Sequence, residues 1–424
     1  MKILWVVNIM LPEIASSLNR ESSVREGWLT GILNEMDVNS TEYELAIAYP
    51  TKDTTVKEST IRNNIECYPF YEDLDHPELY DDRIEAPAKR IIDKEKPDIV
   101  HIYGTEFPHA LSFVRAFNDP KHTIITIQGV CSRIAKDYMA LLPKKVINSV
   151  TFRDIIRRDT LKMQMRKFEI RGFNETCAIE ESGNVIGRTF FDKRAVFRIN
   201  GKVNYFKVNE SMRKSFYEGR WKNENALPHS IFIGQGDYPI KGLHFLLEAA
   251  GELLSDYPDL TIRIAGNSII RHDTFKDKLK TPAYGKYLRE LISRYGLEDH
   301  IKVLGTISEK EIKDEYLKAA LFVCASYVEN SPNTLAEAML LGTPVVTSDA
   351  GGITDMISYN EGFIFRRGDV LELKEAINMV FRMEDRNDPE LLNICNREVM
   401  RASLEFNGES NYNDLLDVYR KVMS

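Results

Sequence analysis

The stretch Tyr327–Asp355, YVENSPNTLAEAMLLGTPVVTSDAGGITD, decides how the rest of the chain is read. Leu321–Ala325 before it reads as a short buried strand, and Pro344–Thr347 inside it as another. Between them Ser331 can cap a helix, with Pro332 at the first helical position and Asn333 and Thr334 following. Proline suits that position because its missing N–H would find no partner there. The first amides of such a helix point outward, and its dipole favours an anion in front of them. Glu329 stands before the helix and Glu337 within it, with seven residues between them. Acid, bare amides and a second acid suit a ligand that is phosphate at its middle and rich in hydroxyls at both ends. A nucleotide sugar, with ribose, diphosphate and hexose in line, has that pattern. The plainer alternative is a capped helix that carries two acids by chance. The neighbouring residues favour the functional reading. Gly342-Thr343-Pro344 turns tightly into Val345-Val346, and Gly351-Gly352 predicts close approach of backbone to a ligand.

On either side of this stretch, β-rich runs alternate with helical patterns. Strands are predicted at Lys2–Asn8, Tyr43–Tyr49, Asp98–Tyr103, Thr123–Ile127 and Asn184–Gly187. After the polar stretch Arg220–Pro228 the rhythm restarts with Ser230–Gly234, Leu260–Ala265, Ile301–Leu304, Leu321–Ala325, Pro344–Thr347 and Gly362–Phe365. Helices fall between them, as at Leu243–Leu254, Tyr284–Tyr295 and Glu309–Lys318. Such alternation predicts parallel α/β sheets, and the restart predicts two of them. The length of 424 residues also exceeds one ordinary core. Ligands of open α/β sheets bind beyond the carboxyl ends of the strands, so a cleft between two such domains is the expected site.

Composition excludes several classes. A net charge of −8 argues against bulk nucleic-acid binding. No apolar run approaches the roughly 18 residues of a spanning helix. The opening MKILWVVN is too short for a signal peptide and reads as a first strand. The five cysteines are scattered without a C-x-x-C pair, which suits buried cytosolic thiols. The eight histidines show no metal-ligand spacing, so neither metal nor cofactor is expected.

Three further constellations matter. In IFIGQGDYPIKG, Ile231–Gly242, a strand and loop deliver Lys241 to a helix start, where an ammonium can meet a diphosphate. The glycines there do not make a dinucleotide fingerprint, because Pro239 occupies the third glycine's place. LTIRIAGN, Leu260–Asn267, puts Gly266 at a strand's carboxyl end, on the same ligand rim. Asp73-Leu74-Asp75 could hold a divalent cation, but its acidic tract YEDLDHPELYDD reads better as a solvated loop. The segment Ser132–Arg171 is locally basic and interleaved with apolar residues. It is either a solvated helix with one core face or a surface for an anionic membrane or a pyrophosphate-linked lipid.

Together these residues resemble the retaining glycosyltransferases of the GT-B fold, group 1 (family 4). Lys241-Gly242, the strand ending at Gly266, VLGTISEKE at Val303–Glu311, the Glu329–Glu337 block and Gly351-Gly352 fall in family order. PDIVHIYG at Pro97–Gly104 and ITIQG at Ile125–Gly129 match more loosely. Asn184–Trp221, with NVIGRTFFDK and NESMRKSFYEGRW, looks like the branch that builds bacterial surface polysaccharides. The resemblance implies two Rossmann-like domains facing each other across a cleft. The first is residues 1–222 on the acceptor side, joined by a C-terminal helix within 410–424; the second is 223–409, binding the nucleotide sugar. It implies that Lys241 and the amides of Thr334 and Leu335 meet the diphosphate, Glu337 the ribose and Glu329 the sugar. Asn333, Gln235 and Gly266 join the donor side, with Thr306 and Ile307 near the base. Glu329, Lys241 and Gln128 are the catalytic candidates, and Gly27, Arg188 and Glu210 line the acceptor side. Gln235 stands where the family usually has arginine, and Gln128 where it often has histidine. Asn8–Asn19 lacks the usual glycine-rich first loop. The implied substrates are a UDP- or GDP-sugar and a glycan or polyprenyl-linked acceptor, handled in the cytoplasm, at the inner face of the membrane. A binding subunit that has lost catalysis and an epimerase on the same fold are the alternatives.

Overall fold

The structure is a computed structural model that describes residues 1–20, 27–36, 40–62, 64–80, 82–271 and 279–424. The chain forms two compact units. One comprises Met1–Lys136, Lys167–Arg213 and Phe406–Ser424; the other comprises Asp137–Arg166 and Lys214–Glu405. The boundary therefore falls before residue 222, and the basic segment 137–166, expected with the first domain, packs with the second. No described helix is long and apolar enough to cross a membrane.

The first unit holds an eight-stranded sheet. Its strands are β1 (Lys2–Val6), β2 (Glu44–Thr51), β3 (Ser59–Ile61), β4 (Ile65–Tyr71), β5 (Ile99–Tyr103), β6 (Thr123–Thr126), β7 (Asn184–Gly187) and β8 (Asn204–Lys207). They lie in the order β3-β4-β2-β1-β5-β6-β7-β8, and only β3 runs antiparallel to its neighbour. The interior strands read as apolar runs because helices cover both faces, and β1, β5 and β6 are buried almost throughout. Three strands escape the sequence pattern: β3, β4 and β8. Pro69 makes β4 read as a break. The structure admits it because β3 pairs only with Ile65–Cys67, so that side of β4 is open at Pro69. The final helix, Gly408–Met423, docks on this sheet, where Trp5 Nε1 donates to Tyr419 Oη at 2.9 Å.

His101 of β5 is fully buried, with Tyr419 Oη and Thr126 Oγ1 each 2.7 Å from a ring nitrogen. Burial lowers its pKa to about 3. A depressed folded pKa gives stability that is present above the unfolded value, about 6.5, and lost as pH falls toward 3. The imidazole is therefore expected to stay neutral well into acid. Imidazole ¹⁵N shifts recorded near pH 5 check this (about 1.5 units below the ordinary value), and an imidazolium pattern would contradict the assignment.

The second unit holds a six-stranded parallel sheet. Its strands are β9 (Leu227–Ile233), β10 (Thr261–Ala265), β11 (Ile301–Gly305), β12 (Ala319–Cys324), β13 (Val345–Ser348) and β14 (Phe363–Phe365). All five cysteines are free thiols, and all but Cys177 are buried.

Candidate functional site

The second sheet runs β11-β10-β9-β12-β13-β14, so strand order reverses between β9 and β12. At such a reversal the helices that follow the two strands lie on opposite faces of the sheet, and a crevice forms at the carboxyl edge. Here they are 234–242 after β9 and 325–332 after β12.

These two loops are pressed together backbone to backbone. Gly242 has φ +72, and a Cβ there would lie 1.9 Å from the Ala325 carbonyl oxygen. Beside it Tyr327 N donates to Ile240 O at 2.7 Å. The contact sets Lys241 Nζ 2.8 Å from Glu329 Oε2, which also accepts from Ser326 Oγ at 3.0 Å. Glu329 is held from behind as well. Gly352 N donates to its carbonyl at 3.1 Å, and a Cβ on Gly351, φ +58, would come within 1.8 Å of the same oxygen. The sequence predicted that this glycine pair admits a ligand; the backbone it admits is that of Glu329.

The Lys241 and Glu329 side chains are 24% and 15% exposed. Burial works against the ammonium, but the charge and hydrogen bond of Glu329 outweigh it and raise the Lys241 pKa above the ordinary lysine value. Lys241 is thus a fixed cation at any physiological pH.

The helix behind the loop runs Asn333–Leu341. Pro332 is its N-cap, not its first helical residue, and no side chain caps it, so the expected role of Ser331 is absent. The Pro332 carbonyl accepts from Leu335 N at 3.0 Å and Ala336 N at 3.3 Å. The Leu335 amide is therefore consumed inside the first turn. Of the amides expected to meet an anion, Thr334 keeps its place, together with Asn333 one residue earlier. Glu337 lies one turn on and is buried; Tyr316 Oη sits 3.3 Å from its Oε2 and 2.9 Å from Thr334 O.

The remaining donor-side residues close the rim. A Cβ on Gly234 would lie 3.1 Å from Thr334 Cγ2, so the Gly234–Gln235 turn abuts the helix tip. Gly266 sits against that turn, 3.4 Å from Gly234 O by the same measure. Its N–H donates to Gly305 O at 2.9 Å, beyond which come exposed Thr306 and half-buried Ile307, one strand farther out. Ser326, Tyr316 and Asp237 were not singled out from the sequence. Asp237 Oδ1 is buried and, among the described residues, has no hydrogen-bond partner, in the loop that carries Lys241. Its place as the acid nearest Lys241 along the sequence was a usable signal; Tyr316 looked like ordinary helix core.

The first-unit candidates form their own cluster at the carboxyl ends of β6 and β7. Arg188, 3% exposed, pairs with Glu210, 4% exposed. It also donates to Gln128 O at 2.9 Å and Ile127 O at 3.1 Å, while Gln128 Nε2 donates to Glu210 Oε1 at 3.3 Å. Gly27 begins the Gly27–Glu35 helix, against the Arg213 side chain. A neighbouring polar group was missed by sequence. Buried His109 lies between Glu72 Oε2 at 2.6 Å and Asn8 Oδ1 at 3.1 Å. Glu106 accepts from Gly129 N at 2.6 Å. In the acidic tract, Asp73 accepts from Asp75 N at 3.1 Å and Asp75 pairs with Lys52; Asp81 lies outside the described residues. Among the described residues no three His, Cys, Asp or Glu side chains gather as metal ligands.

Comparison with known proteins adds to this geometry. Residues 218–397 match the family model of the glycosyl transferases group 1. The chain is similar to spore coat protein SA of Bacillus subtilis (strain 168), 25% identical over 253 residues, covering 56% of this chain and 63% of that one. It is also similar to the lipopolysaccharide core biosynthesis mannosyltransferase LpsB of Rhizobium meliloti (strain 1021), 28% identical over 186 residues, 43% of this chain and 49% of that one. The chain thus spans less than two thirds of the length of these curated relatives. Its fold is similar to that of Anabaena Alr3699/HepE, solved in complex with UDP-glucose. The TM-score is 0.66 at 15% identity, over 99% of this chain and all (100%) of that one.

Proposed function

We propose, for a chain whose residues 218–397 belong to the group 1 glycosyl transferases and whose two sheets have the GT-B fold, that it is a retaining glycosyltransferase. It moves a sugar from a UDP- or GDP-sugar to a glycan or polyprenyl-linked acceptor in bacterial polysaccharide biosynthesis, on the cytoplasmic side. The observation that carries this reading is the crevice at β9 and β12, where Lys241, Glu329, Glu337 and an uncapped helix tip converge.

As the bond between the anomeric carbon and the phosphate oxygen lengthens, negative charge grows on the diphosphate. Lys241 and the amides of Asn333 and Thr334 are placed to stabilise it. Because these groups supply positive charge at the diphosphate, the reaction is proposed to run without a metal ion. The acceptor hydroxyl attacks from the face the diphosphate leaves, and its proton passes to a leaving phosphate oxygen. Glu329 holds the donor sugar, Glu337 the ribose hydroxyls, and Thr306 and Ile307 flank the base. The Gln128, Arg188, Glu210 and Gly27 region takes the acceptor.

The test is a panel of UDP-, GDP- and ADP-sugars with released nucleotide as the readout. Turnover of at least one is expected; absence of both turnover and nucleotide binding refutes the reading. One observation favours a second reading, a binding subunit that has lost catalysis: neutral Gln235 stands at the rim, and Lys241 is already paired with Glu329. Tight nucleotide binding without release from any sugar would establish it. Within the transferase reading, Glu337→Gln is expected to raise the donor KM about tenfold to a hundredfold while kcat changes less, because ribose contacts form before the reaction and persist through it. Steady-state kinetics decide this, and a KM that stays at the wild-type value removes Glu337 from the ribose site.

A further inference from the structure

The segment Asp137–Arg166 is flanked in sequence by the first unit but folds with the second. Its inner face is core: Leu142, Val146 and Leu161 are buried. His244 fixes it by donating from Nε2 to Ala140 O at 2.9 Å. Within it, the short helix Phe152–Arg157 is closed by a reciprocal capping box between Thr151 and Asp154. Asp154 also accepts from Ala283 N at 3.1 Å, which ties the helix to the body of the unit.

A helix fastened this way cannot roll its outer side chains inward, and those side chains are apolar. Phe152 is 59% exposed, Ile155 65%, Ile156 63%, and Val150, two residues before the helix, 55%. Contiguous exposed apolar groups of this kind mark a contact surface. Arg157 and Arg158 close the same helix, and Lys144, Lys145 and Lys162 flank it in the same segment; all five are exposed and, among the described residues, without a side-chain partner. This cationic collar sits on a chain whose net charge is −8.

We propose that this face docks on an anionic lipid bilayer. Phe152, Ile155 and Ile156 enter the boundary between headgroups and acyl chains, and the collar meets lipid phosphates. Charge complementarity selects this occupant. A second copy of the chain would set one collar against another. An acidic protein patch would satisfy the cations but leave the phenyl and isoleucine side chains against polar surface. An anionic leaflet offers negative charge directly over hydrocarbon, and a basic rim with an apolar centre is suited to that layering. The proposal does not depend on the transferase reading, since vesicle binding needs no catalysis.

The test is flotation of the full chain with phosphatidylcholine vesicles, alone or with about one third phosphatidylglycerol, at low salt and at about 0.5 M salt. Co-flotation is expected with phosphatidylglycerol at low salt and is expected to fall sharply at high salt. Phe152→Ser/Ile155→Ser/Ile156→Ser should bind roughly tenfold more weakly or worse at low salt. Arg157→Glu/Arg158→Glu should lose the preference for phosphatidylglycerol. Each altered side chain is exposed, so an unchanged Tm is expected and shows that the variants fold. Failure of the wild type to float with anionic vesicles at low salt overturns the proposal. Equal flotation of the triple-serine variant also overturns it. A concentration-dependent dimer abolished by the same serines would assign the face to a second copy instead.

Discussion

Lys241→Met is expected to lower donor turnover about a hundredfold to a thousandfold, the range for removing one preorganised group from a developing oxyanion. The lysine is anchored rather than waving in solvent: the Gly242–Ala325 contact fixes its backbone and Glu329 orients its ammonium at 2.8 Å. Methionine keeps much of the side chain's volume and removes the charge. The loss should appear in kcat and in kcat/KM alike, because the interaction is strongest when diphosphate charge is greatest. Lys241→Arg should recover only part of the rate, since a planar guanidinium does not reproduce a compact ammonium. Single-turnover nucleotide release measures both. If the methionine variant turns over donor at the wild-type rate, the crevice is not the site of bond breaking.

Gly351→Ala is expected to cost about 3–5 kcal/mol and to take activity with it. Its Cβ would lie 1.8 Å from the Glu329 carbonyl oxygen, which is backbone and cannot swing aside. Gly296→Ala supplies the control. Gly296 also has a positive φ, +66, but nothing lies within 4 Å of the added Cβ. There only the left-handed conformation is penalised, by about 1–2 kcal/mol. Urea unfolding of the pair separates conformational strain from collision. If both substitutions cost the same, the wedge behind Glu329 is not what positions it.

How much of this was legible depended on what each residue's neighbours were. The second sheet was readable because interior parallel strands are apolar along most of their length, as in Ala319–Cys324. The acids and the lysine were readable because their chemistry is conspicuous at strand ends. The helix start was misplaced by one residue, since proline serves both as N-cap and as first helical residue, and only the extended ψ of Pro332, 122°, distinguishes them. That single step decided whether the Leu335 amide was available. Gly351 had an identifiable need, close approach, but its sequence does not say what approaches. Strand β4 was hidden by Pro69, because openness of one strand side is a property of β3's length. The partner of 137–166 was hidden for the same kind of reason: an amphipathic pattern says that something is covered, not by which sheet.

The membership of that segment bears on how such a protein can be inherited or recombined. Residues 214–405 are not a self-sufficient cassette, because the unit also owns a stretch encoded earlier, inside its neighbour's sequence. A gene fusion cut at residue 214 would strip Leu142, Val146 and Leu161 from its surface and leave the Ala283 amide without Asp154. Evolutionary exchange of the half that carries Lys241 and Glu329 is therefore constrained to carry, or to reinvent, a piece of the other half.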